Sequence, residues 1–314
     1  MGNSRTAWHD YIWKMRPSHM AILMIIVSGI PLFVSLGIPM PASYLSTDYY
    51  NTVISQANIA KAAGRRPVRV RGELLYAVTP GLKDTDANVI LQCVQNNYAI
   101  LFVTLDTTSH MNVLDIMKRY KFAYQMPGET EILGGSYKYG IDWVLTPPIL
   151  GEEPAMQRVA ADIWEACQQK DYFGTPLAQL PMMANIHSFR DVDVSSGVFY
   201  SGTHVEMFIR QWTNANPNYP NIKGVGPYAY EDVAYAYGRF IFGSNGGMRG
   251  AAEYEKLVNF KAYFGRPAED ESKIEARNTQ AIAIFACIAL GAIHLNIEKR
   301  RRVVPKATEA SKEA

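Results

Sequence analysis

Residues 98–105 read YAILFVTL, an apolar run in which Thr104 is the only polar aliphatic side chain. A strand that is apolar on both faces is typical of a parallel sheet covered by helices on either side. After it come Asp106, three hydroxyl residues and a helix-like pattern over residues 111–124. This strand-then-helix order predicts an α/β fold.

The same alternation extends in both directions along the chain. Apolar spacing and turn residues predict further strands at 68–78, 141–145, 182–186 and 222–225. They predict helices at 53–63, 84–94, 154–169, 203–212, 231–242 and 251–264. The pattern favours a doubly wound, mainly parallel sheet.

Composition excludes several classes of protein. The 314 residues are 48% hydrophobic and 19% charged, with only three cysteines, which is unlike disordered chains and disulfide-stabilised scaffolds. The net charge of +2 is too small to indicate a nucleic-acid partner. The mean hydropathy of −0.10 excludes a chain that lies mostly inside a bilayer.

Two apolar segments near the ends predict membrane helices. Residues 20–38 contain no charge, and a helix of that length spans roughly 28 Å, about the hydrocarbon thickness of a bilayer. Residues 281–297 are shorter and contain His294 and Asn296, so a core helix or a helix packed on a partner is the alternative. Aromatic residues at predicted membrane-interface positions flank the first segment: Trp8, Trp13, Tyr44, Tyr49 and Tyr50.

Charge next to these segments predicts the orientation. The last seventeen residues carry six basic and three acidic residues, and Arg300, Arg301 and Arg302 directly follow the second segment. By the positive-inside rule both termini are cytoplasmic. The predicted layout is a cytoplasmic N-terminus (1–19), a transmembrane helix (20–41), an extracytoplasmic α/β domain (42–277), a second transmembrane helix (278–297) and a basic tail (298–314), in the plasma membrane.

Residues that follow the predicted strands are the candidate ligand-binding residues. In open α/β sheets, ligands occupy the crevice beyond the carboxyl ends of the strands. The side chains expected there are Thr79, Asp106, Thr107, Thr146 and His187. For Asp106 the alternative is a cap on the next helix.

A second set contains residue types that bind metals: His187, Asp191, Asp193, His204 and Glu206. Their spacing matches no established metal motif, and a hydrogen-bonded structural loop is the alternative. The sequence predicts no cofactor. It also lacks the glycine-rich phosphate loop and the nucleophile elbow, so no catalytic residue is predicted.

A basic cluster follows the first helix of the predicted α/β domain. It comprises Arg65, Arg66, Arg69 and Arg71. Its position close to the first membrane segment favours contact with lipid headgroups or an acidic partner. A solvated strand edge is the alternative.

Three stretches resemble an uncharacterised family of membrane-anchored α/β domains found in archaea and bacteria. They are AKAAGRRPVRV (60–70), ILFVTLDTTSHMNVLDIMKRYKFAY (100–124) and YAYEDVAYAYGRFIFG (228–243). The resemblance implies the same architecture of an α/β domain between hydrophobic helices. That family has no established catalytic residues, so the resemblance assigns no role to any residue here.

Two functions fit the sequence. The first is a non-catalytic membrane-anchored subunit or scaffold, whose extracytoplasmic domain docks a membrane complex. Its partners would be lipids and either other integral membrane subunits or further copies of this chain. The second is an extracytoplasmic ligand-binding domain or hydrolase that uses the strand-end crevice near Asp106 and His187.

Overall fold

The computed structural model describes residues 44–74, 80–199, 201–226 and 232–266, together with residues 22, 25, 26, 272–274, 276, 278–282 and 284. The chain divides into two compact units. One comprises residues 39–271, and the other combines residues 1–38 with residues 272–314.

One parallel sheet organises the described part of the larger unit. Its five strands lie in the order β3-β2-β1-β4-β5, and every pairing is parallel. The predicted α/β fold with a parallel sheet is therefore confirmed. The strands are β1 (Val68–Leu74), β2 (Ala99–Thr104), β3 (Trp143–Leu145), β4 (Val194–Phe199) and β5 (Lys223–Gly224).

Helices cover both faces of this sheet. Val70 and Leu74 of β1 belong to an apolar layer on one face, whereas Ile100 and Phe102 of β2 belong to a layer on the other. The described helices are α1 (Tyr44–Ala62), α2 (Pro80–Gln95), α3 (Ser109–Arg119), α4 (Glu152–Ala161), α5 (Ile163–Ala166), α6 (Gly202–Trp212), α7 (Asp232–Tyr237), α8 (Gly247–Leu257) and α9 (Phe260–Phe264). The first layer contains α4 and α6, and the second contains α1, α2, α3 and α8.

The strand order creates a topological switch point between β1 and β4. From β1 the chain adds β2 and β3 on one side, and then returns to the other side of β1 with β4 and β5. Connections leave the carboxyl ends of β1 and β4 in opposite directions, which opens a crevice between them. This edge of the sheet is the expected place for a ligand.

The predicted strand at 182–186 is wrong. Pro181–Asn185 forms a 3₁₀ helix, since Pro181 has no N–H for a ladder and Met182 and Met183 turn into the core. The strand of this region is β4, whose sequence VSSGVF looks too polar for a buried strand. Ser195 and Ser196 are nevertheless buried, because their hydroxyls bond to the Trp212 carbonyl and to Arg69.

The predicted membrane segments lie almost wholly outside the described residues. Within the described part of the chain, no helix combines the length and the apolar character needed to cross a membrane. Residues 22, 25 and 26 of the first segment, and 281, 282 and 284 of the second, are described and are helical.

Candidate functional site

Asp106 organises the start of α3 at the carboxyl edge. Its Oδ1 accepts hydrogen bonds from the Thr108 and Ser109 amides at 2.6 and 2.7 Å, and its Oδ2 accepts from the Ser109 hydroxyl. Burial raises the pKa of Asp106, but these hydrogen bonds outweigh burial and hold that pKa below its usual value. The N-cap residue of α3 is Thr108, and Asp106 bonds to the amides at this end from two residues before it, which is close to the alternative interpretation of Asp106 as a helix cap.

The other predicted ligand-binding residues differ in their surroundings. Thr146 is fully buried, and its hydroxyl accepts from the Thr104 amide at 3.1 Å while its carbonyl accepts from the Thr104 hydroxyl at 3.0 Å. Thr107 is exposed beside Asp106. Thr79 lies outside the described residues. Asp106, Thr107 and Thr146 thus share one edge of the sheet.

His187 lies at the opposite edge. It precedes β4, and six residues further along the Asp193 amide donates to the Val68 carbonyl at the amino end of β1. The exposed His187 ring stacks on Trp164 with 4.9 Å between centroids. The prediction that His187 follows a strand depended on the incorrect strand at 182–186.

The candidate metal residues are divided between the two edges. His187, Asp191 and Asp193 precede β4, whereas His204 and Glu206 lie on α6 after it. A strand of six residues spans about 20 Å, so the two groups do not meet. Among the residues that the structure describes, no group of three or more His, Cys, Asp and Glu side chains is placed to hold a metal ion.

Each of these five residues has contacts of its own. The Asp191 carboxylate accepts from the His187 and Ser188 amides, and Asp193 accepts from Arg65 and from the Val68 amide. His204 Nδ1 lies 2.9 Å from the Ser201 hydroxyl, and burial lowers the pKa of His204. Glu206 accepts from the Tyr235 hydroxyl at 2.9 Å.

The central strand carries charged side chains on its α1–α2 face, and the sequence interpretation placed two of them, Arg69 and Arg71, at the surface. Arg69, Arg71 and Glu73 are at most 2% exposed. The strand-edge and headgroup interpretations of Arg69 and Arg71 are therefore wrong, since β1 is paired on both sides. Parallel strands are normally apolar in such positions, because an ion taken out of water costs several kcal/mol.

Arg71 forms an ion cluster with two carboxylates. Its Nε donates to Glu73 Oε1 at 2.7 Å, and its Nη2 pairs with Asp86 of α2. Burial raises the pKa of Glu73 and outweighs the opposing effect of Arg71. The carboxyl end of β1 therefore holds a buried guanidinium between two acids.

Arg69 takes neutral partners instead. It donates to the Tyr49 hydroxyl at 2.5 Å, to the Ser196 hydroxyl at 3.1 Å and to the Cys93 sulfur at 3.4 Å. Hydroxyl and thiol groups satisfy its N–H donors without a counter-charge. Arg69 therefore links α1, α2 and β4 to the amino half of β1.

The residues predicted at the membrane interface have different surroundings. Tyr49 is 1% exposed, so its predicted place at a membrane interface is wrong: the ring faces the sheet. Tyr50 packs edge-on against Tyr254, and Tyr44 is exposed. The others, Trp8, Trp13, Arg300, Arg301 and Arg302, lie outside the described residues.

Two further buried polar side chains belong to α2 and to the loop before α8, which cover the same face of the sheet. Asn88 and Asn245 are both 0% exposed. Neither their side-chain oxygens and nitrogens nor Arg71 Nη1 has a hydrogen-bond partner among the described residues. Unpaired buried polar atoms are rare in folded proteins, and each one calls for an explanation such as water, an ion or a ligand.

Helix register relates the two segments that carry these asparagines. Gln92 of α2 accepts from the Tyr254 hydroxyl of α8, and Gln95 donates to the Val258 carbonyl at 2.9 Å, so α2 and α8 run in the same direction. Asn88, one turn before Gln92, is level with the first turn of α8. In that turn Gly250 touches Asn245: a Cβ on Gly250 would lie 2.7 Å from the Asn245 carbonyl carbon.

We refer to Arg71, Glu73, Asp86, Asn88 and Asn245 as the β1 polar cluster. Its one usable signal in the sequence is the charged pattern Arg-Val-Arg-Gly-Glu (69–73) inside a strand-like stretch. Residues 245 and 88 could not have been paired from the sequence. No family model, curated protein or solved structure matches this chain.

Proposed function

We propose that this protein is a membrane-anchored binding protein whose α/β unit holds a small polar molecule in the β1 polar cluster. The observation that carries the proposal is the set of buried polar atoms on Arg71, Asn88 and Asn245 that have no hydrogen-bond partner in the described part of the chain. The cluster also adjoins the carboxyl end of β1, beside the switch point, where α/β proteins bind their ligands.

The chemistry of these atoms indicates the class of ligand. An unpaired buried donor or acceptor costs about 1–3 kcal/mol, so a molecule that satisfies several of them gains affinity. Each carboxamide offers a donor and an acceptor, and Arg71 Nη1 offers a further N–H. The matching ligand is a small organic molecule that both donates and accepts, such as a hydroxy acid or an amide.

The membrane attachment is supported by exposed isoleucines near both ends of the chain. Ile25 is 71% exposed and Ile282 is 62% exposed, and Ile22, Ile26 and Ile284 are also exposed. Apolar side chains in such a group are stable when lipid or a partner covers them. In this proposal both termini are cytoplasmic and the α/β unit lies outside.

Asn88→Leu tests the binding site. Leucine has nearly the shape of asparagine and removes the two unpaired polar atoms, so the fold is retained or stabilised by roughly 1–3 kcal/mol. The full-length chain, purified in mild detergent, is denatured and the released small molecules are identified by mass spectrometry. We expect one compound in near-stoichiometric amount from the wild type and none from the variant.

Gln92→Met is the matched control. Gln92 lies one turn further along α2, and its amide is bonded to the Tyr50 carbonyl and the Tyr254 hydroxyl. This variant loses stability but keeps the compound. A wild-type protein that releases no compound, together with a stabilised Asn88→Leu variant, would show that the cluster is empty or holds only water.

The exposed isoleucines favour a second candidate, the non-catalytic scaffold. An apolar helix surface packs on the helices of another membrane subunit as readily as on lipid. In that case the chain elutes from mild detergent with stoichiometric protein partners, and Asn88→Leu leaves this assembly unchanged. Elution as a monomer counts against the scaffold.

A further inference from the structure

The amino edge of the sheet contains a cleft of about 450 Å³, at the end of β1 away from the β1 polar cluster. We call it the amino-edge cleft. The first residues of β1 and β2 border it, together with the segment that leads into β4. Its lining residues include Arg65, Arg66, Met182, Ile186 and the segment 190–193. Its volume falls within the range of small-molecule sites.

Two of the three arginines that line the amino-edge cleft are paired with carboxylates. Arg65 makes a bidentate contact with Asp193, whose Oδ2 also accepts from the Val68 amide at 2.8 Å. Arg66 donates to Asp142 at 2.7 Å and also to backbone carbonyls. These two guanidiniums therefore form the fixed rim of the cleft.

Arg190 is different. Its guanidinium makes no hydrogen bond or ion pair with any described residue, and the side chain is exposed. The adjacent carboxylate of Asp191 is turned toward the His187 and Ser188 amides, from which it accepts at 2.9 and 3.0 Å. Arg190 is therefore the arginine of this cleft that has no carboxylate partner among the described residues, whereas the Asp191 carboxylate is held by backbone amides.

The wall beside Arg190 is apolar. Met182 and Ile186 are at most 8% exposed, and they are held in place by the 3₁₀ helix Pro181–Asn185 and by the bond from Trp164 Nε1 to the Ile186 carbonyl. Val192 continues this wall toward β4. A guanidinium beside an apolar wall matches a molecule with one anionic group and an apolar body.

We infer that the amino-edge cleft binds an organic monocarboxylate, with its carboxylate on Arg190 and its apolar body on Met182 and Ile186. A planar guanidinium presents two parallel N–H donors that fit a carboxylate. The site is separate from the one in the proposed function, since Val68 at the cleft is about 10 Å along β1 from Arg71 and about 16 Å from Glu73. Either can therefore fail without the other.

Titration of the full-length chain with 2-naphthoate tests this inference. The fluorescent probe combines one carboxylate with an apolar ring system small enough for the cleft. We expect saturable binding that is at least 10-fold weaker in Arg190→Gln, because one charge-assisted contact is lost. The neutral analogue 2-naphthalenemethanol should bind at least 10-fold more weakly than 2-naphthoate to the wild type, and acetate should not compete.

Arg119→Gln is the matched control. Arg119 is also an exposed arginine, at the end of α3, and it does not line the cleft. This variant should bind 2-naphthoate as the wild type does, and so should Asn88→Leu. Equal binding by Arg190→Gln and wild type, or equal binding of the acid and the alcohol, would overturn the inference. Far-UV circular dichroism checks that each variant is folded.

Discussion

Glu73 and Asp106 are two carboxyls at the same edge of the sheet whose surroundings differ. Glu73 has only the Arg71 guanidinium to offset its burial, so burial dominates and its pKa is raised. Asp106 receives several N–H and O–H donors from the start of α3, and its pKa is lowered. The two groups therefore affect stability in opposite directions as pH changes.

The stability of the Glu73→Gln variant relative to the wild type should increase as pH rises. The folded wild type binds this proton more tightly than the unfolded chain, so the wild type loses stability above the unfolded pKa of 4.5. Glutamine does not titrate and retains the acceptor for Arg71. Urea unfolding at pH 4 and pH 8 measures this. The free energy of unfolding of the variant, relative to that of the wild type, should be higher at pH 8 than at pH 4.

Asp106→Asn serves as the comparison with the opposite trend. The wild-type carboxylate contributes stability above the unfolded pKa of 3.8, and this is lost as pH falls through the lower folded pKa. The substitution should therefore lower the free energy of unfolding more at pH 7 than at pH 3. If the two variants showed the same pH trend, the assigned environments would be incorrect.

Among the helices, α1 is held by the loop that precedes α8. Gly243 has a φ of +102°, and its backbone packs against the first turn and a half of α1. A Cβ there would lie 2.6 Å from the Leu45 carbonyl oxygen and 2.7 Å from the α-carbon of Tyr49. The Ser244 amide then donates to the same Leu45 carbonyl at 3.1 Å.

Gly243→Ala should consequently destabilise the α/β unit by roughly 3 kcal/mol or more, since a backbone clash adds to left-handed strain. Gly64→Ala is the matched control. Gly64 ends α1 with a φ of +71° and has no atom within 4 Å of an added Cβ, so only about 1 kcal/mol of strain is expected. Chemical denaturation measures both, and equal losses would contradict the docking of Gly243 on α1.

For the complete chain, we predict attachment to the membrane through the apolar segments near both ends. The double variant Ile25→Arg, Ile284→Arg should shift the chain from the pellet to the supernatant in alkaline carbonate extraction. A charge at the centre of a membrane helix costs about 2.5–3.5 kcal/mol on insertion scales.

Ile132→Arg provides the control for this experiment. Ile132 is 61% exposed but belongs to the α/β unit, so the same charge there should leave the chain in the pellet. A wild-type chain already extracted by carbonate would contradict the anchoring.

The strand order explains how a charged strand can lie at the centre of the sheet. It places β1, with its buried charges, between β2 and β4, so both edges and both faces of β1 are covered. Along the chain, β2 and β3 on one side of β1 come before β4, which pairs with the other edge of β1. The β1 polar cluster is thus assembled from segments that are far apart in the chain.

Elements whose side chains repeat with a regular period could be predicted from the order of residues alone. The apolar run at 98–105 contains β2, and the helix predicted over 53–63 ends at Ala62, shortly before the left-handed Gly64. Burial on both faces and a left-handed glycine are local signals. The candidate Asp106 was also found from its position after a strand. In the structure, Asp106 makes local hydrogen bonds to the start of α3. The sequence had allowed a local role of this kind as the alternative.

The location of the polar residues could not be predicted in this way, since it depends on tertiary contacts. The serines of β4 are buried because one donates to the Trp212 carbonyl and the other accepts from Arg69, and the strand order makes Arg71 central rather than peripheral. Asn88 and Asn245 are far apart in the chain, but α2, which carries Asn88, packs in register against α8, which follows Asn245. Burial and pairing depend on contacts between distant residues, and no local periodicity encodes them.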